Sequence, residues 1–213
     1  KIDSNISGDI LSVLPSFPRY FYCSFSMPIS AQFLDCIDGQ IELTKLLSTK
    51  SLKQYKIRLD STDFGWDTLE RFDNNGLIGN IDMENTKLID RIKESKLCVV
   101  PHNATVFLET FTANFPTVLF WNPDLYELRE SAKPYYDLLH QVGILHYSAE
   151  STAKIINEIY RNPMKWWMQE NIQSAKDQFC EKYAYVSDNW LEEWKAELLN
   201  IDPEHYGEGK YRD

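Results

Sequence analysis

The sequence predicts an α/β protein, with a mostly parallel sheet of about six strands, flanking helices and a carboxyl-terminal helical extension. Two segments, Leu97–Val100 and 117–121, carry this prediction because they are short, apolar runs without polar alternation. Such runs are typical of strands that are covered on both faces, as in a parallel sheet. The segment between them, 106–115, has room for one short crossover helix, closed by Pro116. The arrangement is Rossmann-like.

The other elements follow from the same two periodicities. Further strands are predicted at the apolar runs 10–14, 55–59, 77–81 and 144–147. Helices are predicted where apolar residues recur every three or four positions, at 28–47, 66–72, 84–95, 131–141, from Ser148 or Ser151 through 160, 164–185 and 189–199. Asp63 is the expected cap of the helix at 66–72, and Asn103 or Thr105 that of the helix at 106–115.

The alternation of strands and helices defines the expected domain limits. Residues 1–163 form the Rossmann-like domain, and 164–200 form a helical extension that packs on it or on a neighbouring domain. Residues 201–213 form a polar tail. The chain starts without Met and reaches a strand within about ten residues, so we expect a part of a longer protein whose amino-terminal half is missing.

Composition excludes several classes of function. The net charge of −10 argues against a broad nucleic-acid surface, which needs clustered Lys and Arg. The cysteines and histidines lack the spacing of a metal site, so we expect no metal and no cofactor. No apolar run approaches the roughly 20 residues of a membrane span. We therefore expect a cytoplasmic protein, with at most peripheral association at the inner face of the cytoplasmic membrane.

The first candidate site is the turn after the first strand, with Ser16 and Arg19. A hydroxyl and a guanidinium at the carboxyl edge of a parallel sheet suit a phosphate, because Arg offers a planar fork of donors. Alternatively, Arg19 is solvated and packs on Tyr20.

The second candidate is the turn at 101–105, which opens the crossover helix. Helix-end amides and the helix dipole favour an anion there, and Asn103, Ala104 and Thr105 would form the phosphate cradle. His102 could supply a proton or a hydrogen bond to a leaving phosphate. Ordinary capping by Asn103 or Thr105 is the alternative explanation.

Other polar residues follow the neighbouring strands. Asn122 lies at the carboxyl end of a central strand, where sites in open α/β sheets gather. Arg129 could reach a carboxylate or phosphate, or pair with a neighbouring glutamate. Glu109, one turn into the crossover helix, could accept from a ribose hydroxyl. Arg58 and Asp63 flank the turn after the second strand.

An ordered set of short motifs adds a resemblance to a known family. The motifs are PRYFY (18–22), PISAQ (28–32), DFGW (63–66), HNATVFLE (102–109), PTVLFWNP (116–123), ELR (127–129), WW (166–167) and FCEKYA (179–184). Together, over residues 11–199, they resemble the carboxyl-terminal half of a family of bacterial surface-carbohydrate transferases. This half is similar in layout to the donor-binding domain of GT-B glycosyltransferases, including Kdo and sialic-acid transferases, and to teichoic-acid glycerophosphotransferases.

The resemblance implies roles for the candidate residues. Ser16, Arg19 and 103–105 would bind the donor phosphate, and Arg58, Glu109, Asn122 and Arg129 would lie beside the nucleoside or sugar. His102 and Asp63 would be catalytic. Relatives often have a histidine before the Asp-aromatic-Gly-Trp motif, where this chain has Thr62. If that histidine assists the leaving phosphate, this chain has lost that assistance or uses His102 instead, which puts a role for the Asp63 turn in question.

The resulting hypothesis is the donor-binding half of a glycosyltransferase that builds a bacterial surface polysaccharide or glycan. Its partners would be a nucleotide-activated sugar, with a CMP-linked acidic sugar as the first expectation, a glycan or lipid-linked acceptor, and the missing amino-terminal half. This half alone should be inactive. The alternatives are a CDP-alditol phosphotransferase and a non-catalytic Rossmann-like module that binds a nucleotide or a protein. The enzyme hypotheses require the turns at Arg19 and 103–105 to face one pocket.

Overall fold

The computed structural model describes residues 5–20 and 28–201, which form one parallel sheet with helices on both faces. Its strands are β1 (Ile10–Val13), β2 (Tyr55–Arg58), β3 (Leu97–Val100), β4 (Thr117–Phe120) and β5 (Leu145–His146). They lie in the order β2-β1-β3-β4-β5, all parallel. Phe21 and Tyr22 of the resemblance, and the predicted tail from residue 202, lie outside the described residues.

The helices are α1 (Phe33–Leu46), α2 (Thr49–Leu52), α3 (Thr68–Asp73), α4 (Leu88–Glu94), α5 (Thr105–Thr112), α6 (Lys133–Gln141), α7 (Ala149–Ile159), α8 (Pro163–Trp167), α9 (Glu170–Tyr183) and α10 (Trp190–Leu199). Short 3-10 turns occur at Ser30–Gln32, Ile78–Asn80 and Pro123–Leu125.

Strands β1, β3 and β4 are buried at every position, which confirms that both faces of the sheet are covered. Helices α1 and α7 pack together, and α9 packs against both α5 and α6. Rings of Phe107, Phe111 and Phe179 lie within 6 Å of one another between α5 and α9. Aromatic pairs at these separations stabilise a core beyond the area they bury.

The predicted strand at 77–81 is wrong, so the sheet has five strands and not about six. Residues Ile78–Asn80 form a 3-10 turn, and a single bridge joins Ile81 to Ile57. The amide of the Asn80 side chain donates to the carbonyls of Leu52 and Tyr55, at 2.8 Å each. Asn80 therefore ties the turn to the beginning of β2. Within 77–81, Ile81 alone forms a bridge to that strand.

The helix predicted at 164–185 is divided into α8 and α9 at Met168 and Gln169. The Trp167 indole is fully buried and donates to the Asn114 side chain at 2.8 Å. Gln173 donates to the Trp167 carbonyl at 2.7 Å, which satisfies an acceptor left by the break. The last helix, α10, contains no buried residue and exposes its tryptophans to solvent.

The strand order reverses between β1 and β3, since β2 lies on one side of β1 and β3 on the other. In open α/β sheets ligands bind outside the carboxyl ends of the strands at such a reversal. The turns after β1 and after β3 are therefore neighbours at the edge where a site is expected.

Gly8 allows the backbone before β1 to approach the end of α4. A Cβ at Gly8 would lie 2.0 Å from the Glu94 carbonyl oxygen and 2.9 Å from Ser95 Cα. Because both are backbone atoms, Gly8→Ala should lower the free energy of unfolding by about 1–3 kcal/mol or more, as overpacking does. Gly79→Ala is the control, since its Cβ would meet nothing within 4 Å. Urea denaturation that gave equal stabilities for both variants would contradict this account.

Candidate functional site

The amino end of α5 lies directly after β3 and has no side-chain cap. Its N-cap residue is Ala104, in an extended conformation, so the prediction that Asn103 or Thr105 caps this helix is wrong. The Asn103 side chain instead accepts a hydrogen bond from the Tyr136 hydroxyl at 2.8 Å. The first amides of α5 thus keep the partial positive charge that a helix amino end offers to an anion.

His102 lies two residues before the N-cap residue Ala104 and is only 4% exposed. Its Nδ1 atom has no hydrogen-bond partner among the described residues. Burial lowers the pKa of His102 to about 4, so the imidazole is neutral at pH 7. A neutral imidazole can donate a hydrogen bond to a phosphate oxygen through its N–H group, but that N–H is far too weak an acid to give up its proton at pH 7. His102 therefore fits the hydrogen-bonding role predicted for it better than the proton-donating one.

Ser16 and Asp63 line a common cleft of about 460 Å³, the β1–β2 cleft, between the carboxyl ends of these strands. The Ser16 hydroxyl is buried there without a partner among the described residues. The Asp63 carboxylate accepts from the amides of Asp67 and Thr68, at 2.8 Å each. The N-cap residue of α3 is Asp67 and not Asp63, so the predicted cap position is wrong, although Asp63 still satisfies two amides at this helix end. Partial burial raises the Asp63 pKa, but these hydrogen bonds and that from Trp66 outweigh it, so the net shift is downward. These hydrogen bonds keep Asp63 in its charged form and engage it in supporting the start of α3.

Arg19 is exposed and lies against the turn that follows β2. Its guanidinium donates to the Gly65 carbonyl at 2.9 Å and stands 5.5 Å from the centre of the Trp66 ring. Trp66 in turn donates to the Phe17 carbonyl at 2.7 Å. The side chain is therefore engaged with the Gly65–Trp66 turn, whereas the sequence pattern alone predicted either a phosphate contact or a solvated guanidinium.

A second cleft, of about 450 Å³, lies over the carboxyl ends of β3, β4 and β5, between α1 and α7. We call it the acidic cleft, because it is lined by Asp35, Asp38, Glu42 and Glu150, together with Pro101, Asn122 and several aromatic residues. Asn122 accepts from the Asp124 amide at 3.0 Å and so caps the turn after β4. Asn122 was predicted to contact the nucleoside or sugar, and its place in the lining of this cleft is compatible with that prediction.

The other predicted contacts are dispersed. Arg58 pairs with Asp82 at 3.4 Å and also donates to the Thr86 carbonyl, so its guanidinium is engaged beside β2. Glu109 and Arg129 are exposed, and neither makes an ion pair with a described residue.

The described residues do not place the turns of Arg19 and 103–105 in one cavity. Adjacent strands β1 and β3 bring the turns to the same edge, but Ser16 lines the β1–β2 cleft and Pro101 lines the acidic cleft. The acidic residues of α1 and the partner of Asn103 were not predicted from the sequence. Asp35, Asp38 and Glu42 are spaced i, i+3 and i+7, which could have indicated one acidic helix face.

Two further findings concern the described ranges, 5–20 and 28–201. No three His, Cys, Asp or Glu side chains in them are grouped so that they could hold a metal ion. No helix in the same ranges combines the length and the apolar character needed to cross a membrane.

The parallel α/β fold, with an uncapped helix end at the reversal of strand order, is a common scaffold for proteins that bind phosphorylated ligands. The family can be stated more closely. Residues 1–198 match the model of the LIC12162 family transferase, so the chain belongs to this family of transferases.

Similarity to individual proteins is weaker than the match to the family. No protein with a curated functional description matches the chain. Among solved structures it is similar to the crystal structure of WaaG, described as a glycosyltransferase involved in lipopolysaccharide biosynthesis, with a TM-score of 0.46 and 17% identity. The match covers 92% of this chain and 48% of WaaG, so the chain spans about half the length of that protein. A likeness at this level carries no argument about activity.

Proposed function

We propose that this chain is the donor-binding half of a glycosyltransferase that uses a nucleotide-activated sugar. The uncapped amino end of α5, with the buried His102 before it, carries the proposal. Membership of a transferase family and the motif resemblance support it. As the sugar leaves, negative charge grows on the nucleotide phosphate, and amides fixed in advance at a helix end stabilise that charge.

In this proposal the phosphate lies against the amides of residues 104–106, and His102 Nδ1–H donates to one of its oxygens. The acceptor hydroxyl attacks the anomeric carbon, the bond from that carbon to the phosphate oxygen breaks, and the base for the acceptor lies outside this chain. The described residues do not place the turns of Arg19 and 103–105 in one cavity, so the expectation that both turns face one pocket is dropped. The proposal rests on the amino end of α5, and Arg19 has no part because its guanidinium bonds to Gly65. The acceptor would be a bacterial surface glycan or its lipid-linked precursor.

The acidic cleft bears on which sugar is transferred. Four carboxylates line it, and no Lys or Arg among the described residues does. A carboxylated sugar would meet like charge there. We therefore favour a neutral or positively charged sugar over the CMP-linked acidic sugar that the resemblance first implies.

Substitution at Ala104 tests the phosphate site directly. In Ala104→Asp the new carboxylate should cap α5 and occupy its amides, so nucleotide affinity should fall at least about tenfold, equivalent to about 1.4 kcal/mol. The same cap should raise the free energy of unfolding by about 0.5–2 kcal/mol. Calorimetric titration with CMP, CDP, UDP and GDP measures the first effect, and urea denaturation the second.

Ala104→Ser is the matched control, because it adds a neutral cap and should stabilise the helix with a smaller loss of affinity. Equal nucleotide affinity in the wild-type chain and in Ala104→Asp would contradict the site. Failure of all four nucleotides to bind either this chain or the longer protein expected to contain it would favour the non-catalytic module.

A further inference from the structure

The acidic cleft has the opposite charge to a phosphate site. Asp35, Asp38 and Glu42 lie on one face of α1, and Glu150 opposes them from the first turn of α7. None of the four makes an ion pair with a described residue. Glu150 is held in its charged form, because its own amide and the Ser148 hydroxyl lower its pKa. Carboxylates gathered in this way repel one another, and a bound cation would relieve the repulsion.

The wall of the cleft supplies a second, independent sign of a ligand. Tyr126 lines the cleft and is only 4% exposed, yet its hydroxyl has no hydrogen-bond partner among the described residues. A buried polar group is normally paired, and one without a partner calls for an explanation such as an absent ligand. Trp121, whose ring centre lies 5.7 Å from that of Tyr126, lines the same cleft.

The size and lining of the cleft limit what it could hold. A volume of about 450 Å³ lies within the range of small-molecule sites. A metal ion is disfavoured, because no suitable group of three ligands exists within residues 5–20 and 28–201. Aromatic faces with carboxylates nearby are the usual surroundings of an organic ammonium group.

We propose that the acidic cleft binds a protonated amine, carried by an amino sugar that is transferred or that accepts the transfer. The choice of a sugar rests on the proposed function, whereas the need for a cation rests on the cleft alone. A lysine side chain from another protein segment offers the same ammonium chemistry, so the experiment must separate the two sources.

The test compares glucosamine with N-acetylglucosamine, its uncharged counterpart, by calorimetry at a pH where the amine is protonated. Glucosamine should bind at least about tenfold more tightly, because only the amine gains the attraction of nearby carboxylates. Asp38→Asn and Glu42→Gln should each weaken glucosamine binding several-fold. Tyr126→Phe should weaken it while leaving the fold intact. Asp137→Asn is the control, since this exposed carboxylate on α6 does not line the cleft.

Equal affinities for the two sugars, no glucosamine binding, or equal losses in Asp38→Asn and Asp137→Asn would overturn the proposal. Tighter binding of Nα-acetyl-lysine methylamide, whose side-chain ammonium is free, than of glucosamine would overturn the assignment to a sugar and favour a protein side chain. Glucosamine carries no phosphate, so its binding does not depend on the amides of α5. Failure of the phosphate site and failure of the amine site can therefore be told apart.

Discussion

Arg91→Met should lower the free energy of unfolding by about 3–5 kcal/mol, the usual cost of breaking a buried ion pair by removing one partner. The Arg91 side chain is 4% exposed and its Nε lies 3.2 Å from the Asp82 carboxylate, which is 3% exposed. Its guanidinium also lies 2.8 Å from Asp9 and donates to Ser95 at 3.2 Å. Without Arg91, the buried Asp82 would keep only the longer contact with Arg58, at 3.4 Å.

If the loss of stability comes from the buried charge of Asp82, removing that charge as well should restore stability. In the double variant Arg91→Met/Asp82→Asn the buried charge is gone, so much of the lost stability should return. Urea denaturation of the two single variants and the double variant measures the coupling energy. Additive losses would mean that the ion pair itself is not the source of the effect.

Acidification should destabilise the protein through His102, with a loss of about 3 kcal/mol between pH 6.5 and pH 4. Burial lowers the folded-state pKa of His102 from 6.5 to about 4. In that interval the unfolded chain takes up a proton that the folded chain does not, so the unfolded state is favoured as the pH falls. The stabilising contribution is fully present above pH 6.5.

His102→Leu isolates this contribution from the other groups that titrate in the same interval, including His146, whose pKa is also lowered by burial. The difference in free energy of unfolding between wild type and variant should shift by about 3 kcal/mol in favour of the variant from pH 6.5 to pH 4. Parallel stability curves for the two proteins would contradict the buried, neutral imidazole. A phosphate bound beside His102 should raise its pKa and reduce the shift.

The fold was largely predictable because its central strands are buried on both faces. Leu97–Val100 and Thr117–Phe120 show no alternation of apolar and polar residues, Thr117 being the one polar side chain, so these runs indicate a parallel sheet directly. The strand wrongly predicted at 77–81 was not predictable as a turn, because its conformation depends on contacts that are distant in sequence. There the decisive feature is the Asn80 side chain, which bonds to carbonyls 25 and 28 residues earlier. Contacts so distant along the chain leave no local periodicity to recognise.

The site was less predictable, because several polar residues have partners that are remote in sequence. Asn103 looks like a helix cap until Tyr136, 33 residues later, supplies a hydroxyl to its side chain. Arg19 looks free until its bond to Gly65 is seen. The acidic cleft arises only when α7 is brought opposite α1, although the spacing of Asp35, Asp38 and Glu42 is visible in the sequence.

The exposure of α10 has an optical consequence. The chain has six tryptophans, of which Trp66, Trp121, Trp166 and Trp167 are at most 8% exposed, whereas Trp190 and Trp194 are 60% and 62% exposed. Water-soluble quenchers such as iodide should therefore dim the fluorescence of the α10 pair and spare the other four. Any molecule that covers α10 would shift the emission to shorter wavelength and protect it from the quencher, so the protein contains its own reporter for contacts at that helix.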